Sequence, residues 1–386
     1  MAITEQTYTG FEQGPIRPPS EAKSLLIRVM RNCPWNRCAF CPVYKGTKFS
    51  LRPVDHVLRD IDAVHRHLET LLSLRGASGL LDHGRVREAW SKAPPGETEA
   101  FGAANHWLAG GGMKSVFLQD ANALIVKPPQ LLTILRHLRH RFPDIERVTC
   151  YARSQTVAAR KQEDLNALGE AGLNRVHIGL ESGSDRVLEM VRKGVTKEKQ
   201  IEAGSKIKAA GMELSEYYMP GLGGRALSEE HARESAGALN RIGPDFIRLR
   251  TLAIPNGVPL AEEQEAGRFV QLTGREVVEE LVLFLESLDG ITSTIASDHV
   301  LNLFGDLEGV LPADKERMLG LLRGFLGLDP NEQSLYQVGR RLGVFACLED
   351  LGVPRKRAMA EQACATYGIG PENADEAISA IMKRFI

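Results

Sequence analysis

Three of the chain's six cysteines, Cys33, Cys38 and Cys41, fall in the stretch NCPWNRCAFCPVY between Asn32 and Tyr44. Their C-x4-C-x2-C spacing places three thiolates on one short loop, a donor set that suits a soft metal centre better than a disulfide pair. The count separates the candidate metals. A closed tetrahedral zinc site needs four ligands and would have to recruit Cys150, His56 or a residue of a partner. An iron-sulfur cube can leave one iron without a protein ligand, open to a small molecule. Three purely structural thiols are the remaining alternative. Cys150, Cys347 and Cys364 have no ligand-like spacing and read as core thiols.

The elements that must carry this loop follow from hydrophobic patterning. Residues 24–30, SLLIRVM, form a short apolar run that predicts a buried parallel strand with the cysteine loop at its C-terminal end. Residues 52–74 place Val54, Leu58, Ile61, Val64, Leu68 and Leu71 on one helical face. Further strands are predicted at 115–120, 147–153, 175–182, 212–221 and 245–255. They alternate with helices at about 129–141, 162–171, 185–191, 197–210 and 228–242. Six strands alternating with helices imply a parallel sheet with right-handed crossovers, as a partial barrel or an open doubly wound sheet. Residues 1–23, with GPIRPP, predict an N-terminal extended arm, either a strap over the site or a surface tail. Residues 75–112, with a helical stretch near Val86–Trp90, read as an insertion. After about Arg275 the strand signals stop, and amphipathic helices are predicted at 277–288, 299–307, 314–326, 334–351, 356–367 and 374–385.

Charges inside buried strands mark the inner face. Period-two alternation points His177, Gly179 and Glu181 inward, with Val176, Ile178 and Leu180 outward, and it points Arg28, Gln119, Glu213, Ser215, Arg248 and Arg250 inward as well. Buried charges must pair or meet a polar ligand. A structural ion-pair lattice is expected for Arg28, His177, Glu213 and Arg248. Parallel barrels build their sites at the strands' C-terminal ends, which here carry Asp120, Tyr151, Arg153, Glu181, Tyr217 and Arg250. SDHVLN, Ser297–Asn302, predicts a helix capped by Ser297 or Asp298, with His299 and Asn302 on one face and His299 turned toward substrate.

The cysteine stretch, with Phe40 just before its last cysteine, resembles the signature of the radical S-adenosylmethionine (SAM) superfamily, whose commonest spacing is one residue shorter. GLESGSDRVLEMVRKGVT, Gly179–Thr196, is similar to the fourth-strand motif of the branch holding oxygen-independent coproporphyrinogen oxidases, methylthiotransferases and elongator-type enzymes. MPGLGG at 219–224 and TLAIPNGVPL at 251–260 resemble the turns after strands five and six. The resemblance implies an α/β fold with a partial six-stranded parallel (β/α)6 TIM-like barrel over about residues 24–260, and the amphipathic patterning adds a C-terminal α-helical domain over 275–386. It implies a [4Fe-4S] cluster on Cys33, Cys38 and Cys41, and a SAM site formed by Phe40, Gln119, Asp120, Arg153, Glu181, Ser182 and Lys193. Arg and Lys suit the SAM carboxylate. The implied activity is reductive cleavage of SAM to a 5'-deoxyadenosyl radical that abstracts hydrogen from a polar small-molecule substrate, with Tyr217, Arg250 and His299 as candidate catalytic residues.

Composition constrains the partners. With 48 Lys and Arg against 49 Asp and Glu, net charge gives no support for a surface that coats a polyanion. Modification of tRNA, by analogy with related families, is the alternative enzyme reading, and an iron-sulfur carrier or binding protein the non-enzymatic one. A low-potential donor, ferredoxin or flavodoxin, is the implied protein partner. No apolar run of 18 residues and no signal-peptide pattern occur, so no membrane association and a cytoplasmic location are expected, where thiols stay reduced.

Overall fold

The computed structural model describes residues 7–76 and 81–382, so parts of the predicted arm, insertion and last helix (1–6, 77–80 and 383–385) lie outside the described residues. Eight principal strands follow one another in the sheet in chain order, and the sheet is mainly parallel. They are β1 (Leu25–Arg28), β2 (Ser115–Gln119), β3 (Arg147–Ala152), β4 (Arg175–Glu181), β5 (Glu213–Tyr218), β6 (Phe246–Leu249), β7 (Thr294–Ala296) and β8 (Gly309–Val310). The first six are the strands expected from patterning. The last two correct the expectation that strands end before Arg275. β7 runs parallel to β6, and β8 closes back antiparallel to β7. At three and two residues they are too short to show alternation.

The chain forms two compact units, one of residues 7–34, 46–177 and 206–213, the other of 35–45, 178–205 and 214–382. In the first unit β1 pairs with β2 from Leu25 opposite Val116 to Arg28 opposite Gln119, and β2 pairs with β3 from Ser115 opposite Arg147. The helix Val54–Ser73 buries Val57, Ile61, Val64 and Leu71. It packs against Thr98–Gly111 and Pro128–Arg141, and its Asp62 is bonded to both His137 and Arg141 of the latter. Within the insertion, His83–Ser91 matches the expected helix, whereas Thr98–Gly111 was not anticipated. Phe101, Ala104, Trp107 and Leu108 form its buried face. Among the described residues of the arm, the first regular structure is the short 3-10 turn Pro19–Glu21.

In the second unit β5 pairs with β6 from Ser215 opposite Phe246 to Tyr218 opposite Leu249. Gly224–Ile242 packs on Gly274–Ser287, which opens with a capping box between Thr273 and Glu276. Two helix expectations are corrected here. The helix expected at 334–351 is Pro330–Arg341 followed by the 3-10 turn Leu348–Gly352. Residues 299–307 form no helix. The Ser297 hydroxyl donates to Phe304 O and accepts from Asn302 Nδ2, and that amide also donates to Leu249 O at 2.8 Å. Asn302 Oδ1 accepts from the Thr251 backbone N–H at 2.9 Å. These side chains bond directly to backbone, the competition that draws Ser and Asn out of helices.

Candidate active site

The second unit holds Cys38 and Cys41 and fixes the loop that carries them. Ala39 N donates to Val191 O at 2.8 Å, and Leu260 N donates to Ala39 O at 3.0 Å. Trp35 Nε1 donates to Arg192 O at 2.8 Å. The Lys45 ammonium bonds the carbonyls of Asn36 and Cys38 at 3.1 and 3.0 Å. Ala39 and Phe40 are buried against Val187, Val191, Met219 and Leu260, with both cysteines packed on that cluster. The loop is therefore clamped to the Val191–Gly194 turn, which presents Lys193.

Lys193 Nζ lies 3.2 Å from Glu181 Oε1, with both side chains largely buried. The other carboxylate oxygen, Oε2, is buried without a hydrogen-bond partner. Glu181 has φ of 61°, a left-handed conformation that costs about 1–2 kcal/mol for a residue with a Cβ. A Cβ on Gly179 would collide with Glu181 Oε1 and come within 3.0 Å of Lys193 Nζ, so this glycine makes room for the pair. Strain, a buried charge pair and an unfilled acceptor together fit a polar ligand at this strand end. Glu216, fully buried beside the pair, was missed by sequence reasoning. Burial holds its carboxyl well above the usual range, and neither of its oxygens has a partner. Its signal was an acid inside an otherwise buried strand. Trp35 was missed too, although a tryptophan inside a cysteine loop is itself a signal of packing.

Ser182, expected at SAM, has a protein partner. Its hydroxyl is buried 2.9 Å from His231 Nδ1, while His231 Nε2 lies 3.0 Å from Met219 O. A carbonyl can only accept, so Nε2 carries the proton and Ser182 donates to Nδ1. Burial lowers the His231 pKa and keeps the ring neutral. Ser182 thus pins the strand end to the Gly224–Ile242 helix.

Arg250 lines a small cleft with Phe40, Cys41, Met219, Thr251 and Leu301. Its charge reaches His299, whose pKa falls to about 4 through burial and then Arg250. Leu301 N donates to His299 Nδ1 at 3.2 Å, leaving Nε2 as the protonated nitrogen of a neutral ring. Tyr217 is buried. Arg248 bonds Ser215 Oγ at 3.1 Å and is salt-bridged to Asp298, the residue expected to cap a helix.

In the first unit, Cys33 follows Asn32, whose N–H donates to Asp120 Oδ2 at 3.3 Å. That oxygen also accepts from Arg28 Nη2 at 2.8 Å. The Gln119 amide is occupied by the arm. It accepts from Gly14 N at 2.8 Å and donates to Gly14 O and Ile16 O at 3.2 and 2.7 Å. Both residues, expected at SAM, hold neighbouring backbone, and Asp120 also pairs with Arg28. The backbone N–H of Arg153 is held by Asn122 Oδ1 at 3.0 Å. Tyr151 stacks edge-on to Phe117, and His177 lies 3.8 Å from buried Glu21. Glu213 points outward, half exposed and paired with Arg175, because it begins its strand.

The donor chemistry fits an iron-sulfur cluster. The fourth zinc ligands that the sequence could offer are engaged elsewhere. Cys150 is fully buried in β3 with its thiol pKa raised by burial, and His56 packs against Tyr8. Among the described residues no three Cys, His, Asp or Glu side chains converge on a single ion. A cube takes one thiolate per iron, so its ligands need not meet at one point.

Residues 27–236, more than half of the chain, match the radical SAM superfamily. The tRNA uridine(34) acetyltransferase of Methanocaldococcus infernus is 24% identical over 119 residues, 31% of this chain and 22% of that protein. The chain thus matches less than a quarter of the length of that curated relative. Coproporphyrinogen III oxidase from Escherichia coli, a radical SAM enzyme, is 14% identical at a TM-score of 0.44, covering 68% of this chain and 52% of that one. A radical SAM methyltransferase from Kitasatospora setae, solved with cobalamin and a [4Fe-4S] cluster bound, is 14% identical at 0.43, covering 93% and 66%. The chain belongs to the radical SAM superfamily. It is accordingly an enzyme of the class that uses a [4Fe-4S] cluster and SAM, and such enzymes need a reductant and a substrate. Among the described residues no helix is long and apolar enough to cross a membrane.

Proposed function

We propose that Cys33, Cys38 and Cys41 hold the cluster, that SAM lies beside Glu181 and Lys193, and that the enzyme abstracts hydrogen from a polar small molecule. The observation that supports this reading best is the clamp of the cysteine loop on the Lys193 turn through Trp35 and Ala39. When bound, the cluster supplies the electron that cleaves SAM to a 5'-deoxyadenosyl radical. The chain's residues do the rest. The Lys193 ammonium binds the SAM carboxylate, and Glu181 Oε2 accepts from a donor of the same ligand. The apolar wall of Phe40, Met219 and Leu252 keeps water from the reacting carbon. Arg250 orients an anionic or carbonyl group of the substrate, and neutral His299 offers its Nε2 proton as a hydrogen-bond donor. A ferredoxin or flavodoxin is the proposed reductant.

The test is anaerobic reconstitution, reduction with dithionite and assay of 5'-deoxyadenosine. Wild type should release it, Cys38→Ala should lose iron and release together, and Lys193→Met should keep iron but bind SAM at least about tenfold more weakly. An iron-loaded protein that cycles between redox states without cleaving SAM would be a carrier, and the proposal would fail. The name of the matched archaeal relatives favours tRNA modification as a second reading. Co-purifying RNA, bound with a steep salt dependence, would support it.

A further inference from the structure

A second cavity, of about 530 Å³, lies in the C-terminal part of the second unit. Its size is that of a small-molecule site. Apart from Leu252, which also belongs to the apolar wall proposed beside the reacting carbon, none of its lining residues comes from the cysteine loop or from the residues proposed to hold SAM. Its walls are mostly apolar, with Leu252, Val278, Leu281, Phe304, Leu307 and Ile378 among them. Among the described residues that line it, Arg341 is the one cation. Arg341, at the end of the Pro330–Arg341 helix, is largely buried, and desolvation pulls its pKa down to about 10.

Among the described residues Arg341 forms no salt bridge. Its Nη1 donates only to the carbonyls of Val300 and Asn302, at 3.2 and 3.3 Å, and its Nε is buried without a partner. Nη2 thus has no hydrogen bond among the described residues, while Nε is out of reach of water. A guanidinium N–H makes a short charge-assisted bond to a carboxylate oxygen. Asp375 and Glu376 also line the cavity but are exposed, at its wet rim, where water screens them. Asp375 is moreover held by Gly274 N at 2.8 Å. One desolvated cation facing two rim acids suits a ligand with a single negative charge rather than a dianion.

We infer that this cavity binds a small amphipathic monocarboxylate, its carboxylate on Nη2 of Arg341 and its apolar body along the Leu252–Leu281–Phe304 wall. The site stands apart from the proposed SAM site but touches it mechanically. Asn302, whose carbonyl accepts from Arg341, bonds the Thr251 backbone, and Thr251 and Leu252 line both the cavity and the Arg250 cleft.

The experiment is calorimetric titration of the anaerobically reconstituted protein at neutral pH with octanoate, octanamide, octylamine and octyl phosphate. It reads binding alone, so its outcome is independent of whether SAM is cleaved. Octanoate should bind at least about tenfold more tightly than octanamide, the amine should not bind, and the phosphate should bind more weakly than octanoate. Arg341→Gln should abolish the difference between acid and amide. Ser379→Trp, which fills the cavity from the rim and leaves Arg341 in place, should weaken both, and it decides the matter if the arginine variant does not fold. Equal affinities for acid and amide, an acid preference retained in Arg341→Gln, full octanoate affinity in Ser379→Trp, or tighter binding of the phosphate would each overturn the assignment.

Discussion

The clamp between the cysteine loop and the Lys193 turn can be tested with a matched pair of glycine substitutions. Gly194 and Gly211 have the same left-handed backbone, with φ of 71° and 72°. An alanine at either position pays about 1–2 kcal/mol for that conformation. The surroundings differ. A Cβ on Gly211 meets nothing within 4 Å, whereas one on Gly194 would lie 2.6 Å from both Cε2 and Cη2 of Trp35 and closer still to Cζ2. Trp35 cannot yield without losing its bond to Arg192 O. Overpacking of this kind adds about 1–3 kcal/mol. Gly194→Ala should therefore be less stable than Gly211→Ala by about 1–3 kcal/mol in urea unfolding. It should also lose iron faster and bind SAM more weakly, while Gly211→Ala matches wild type in both functional readouts. Equal midpoints together with equal iron retention would show that Trp35 does not hold the loop, and the reasoning for the site would fall with it.

Two further outcomes follow from other parts of the molecule. His299 should remain neutral down to about pH 5 by NMR, because its pKa lies at about 4, and Arg250→Gln should raise that pKa by removing a neighbouring positive charge. Since the unfolded chain protonates this histidine near its ordinary value, the unfolded state binds more protons as pH falls from about 6.5 toward 4. His299 then contributes a loss of stability over that window, and His299→Phe should show a shallower acid dependence. Gln119→Leu should release the arm by removing its three bonds to Gly14 and Ile16. Hydrogen exchange of the Gly14 amide, which donates to Gln119 Oε1, should then accelerate at least about tenfold without a comparable fall in unfolding midpoint. An unchanged exchange rate would mean that other contacts hold the arm.

Much of the architecture was legible because burial leaves a periodic mark. SVFLQ and RVHIGLE read as strands since their apolar residues are enclosed by the fold, and the cysteine spacing marks its chemistry irrespective of packing. What escaped had weaker or competing local signals. Thr98–Gly111 sits among Gly and Pro residues that suggest a loop, yet Phe101, Ala104 and Trp107 recur at near-helical spacing. SDHVLN has the composition of a capped helix, but Asn302 finds better partners in Leu249 and Thr251, about 50 residues earlier, which no local window can see. Alternation put Gln119 on the inner face and could not show that the arm's backbone meets it there. Resemblance implied a ligand contact for Ser182 and could not show the histidine 49 residues away that its hydroxyl meets.

The segment SGSD, which a motif search reads as part of a cofactor signature, is also a mechanical joint. Gly183 N donates to Ser235 Oγ, Ser184 Oγ donates to Glu230, and Ser182 meets His231, all on one helix. A side chain at Gly183 would strike the backbone of Glu234, so the residue is small because two main chains touch there. Changes along the outer helix therefore have a short rigid lever to Glu181, and a substitution at Ser235 or Glu230, remote in sequence from every ligand-facing group, should be felt as a shift in where that carboxylate points.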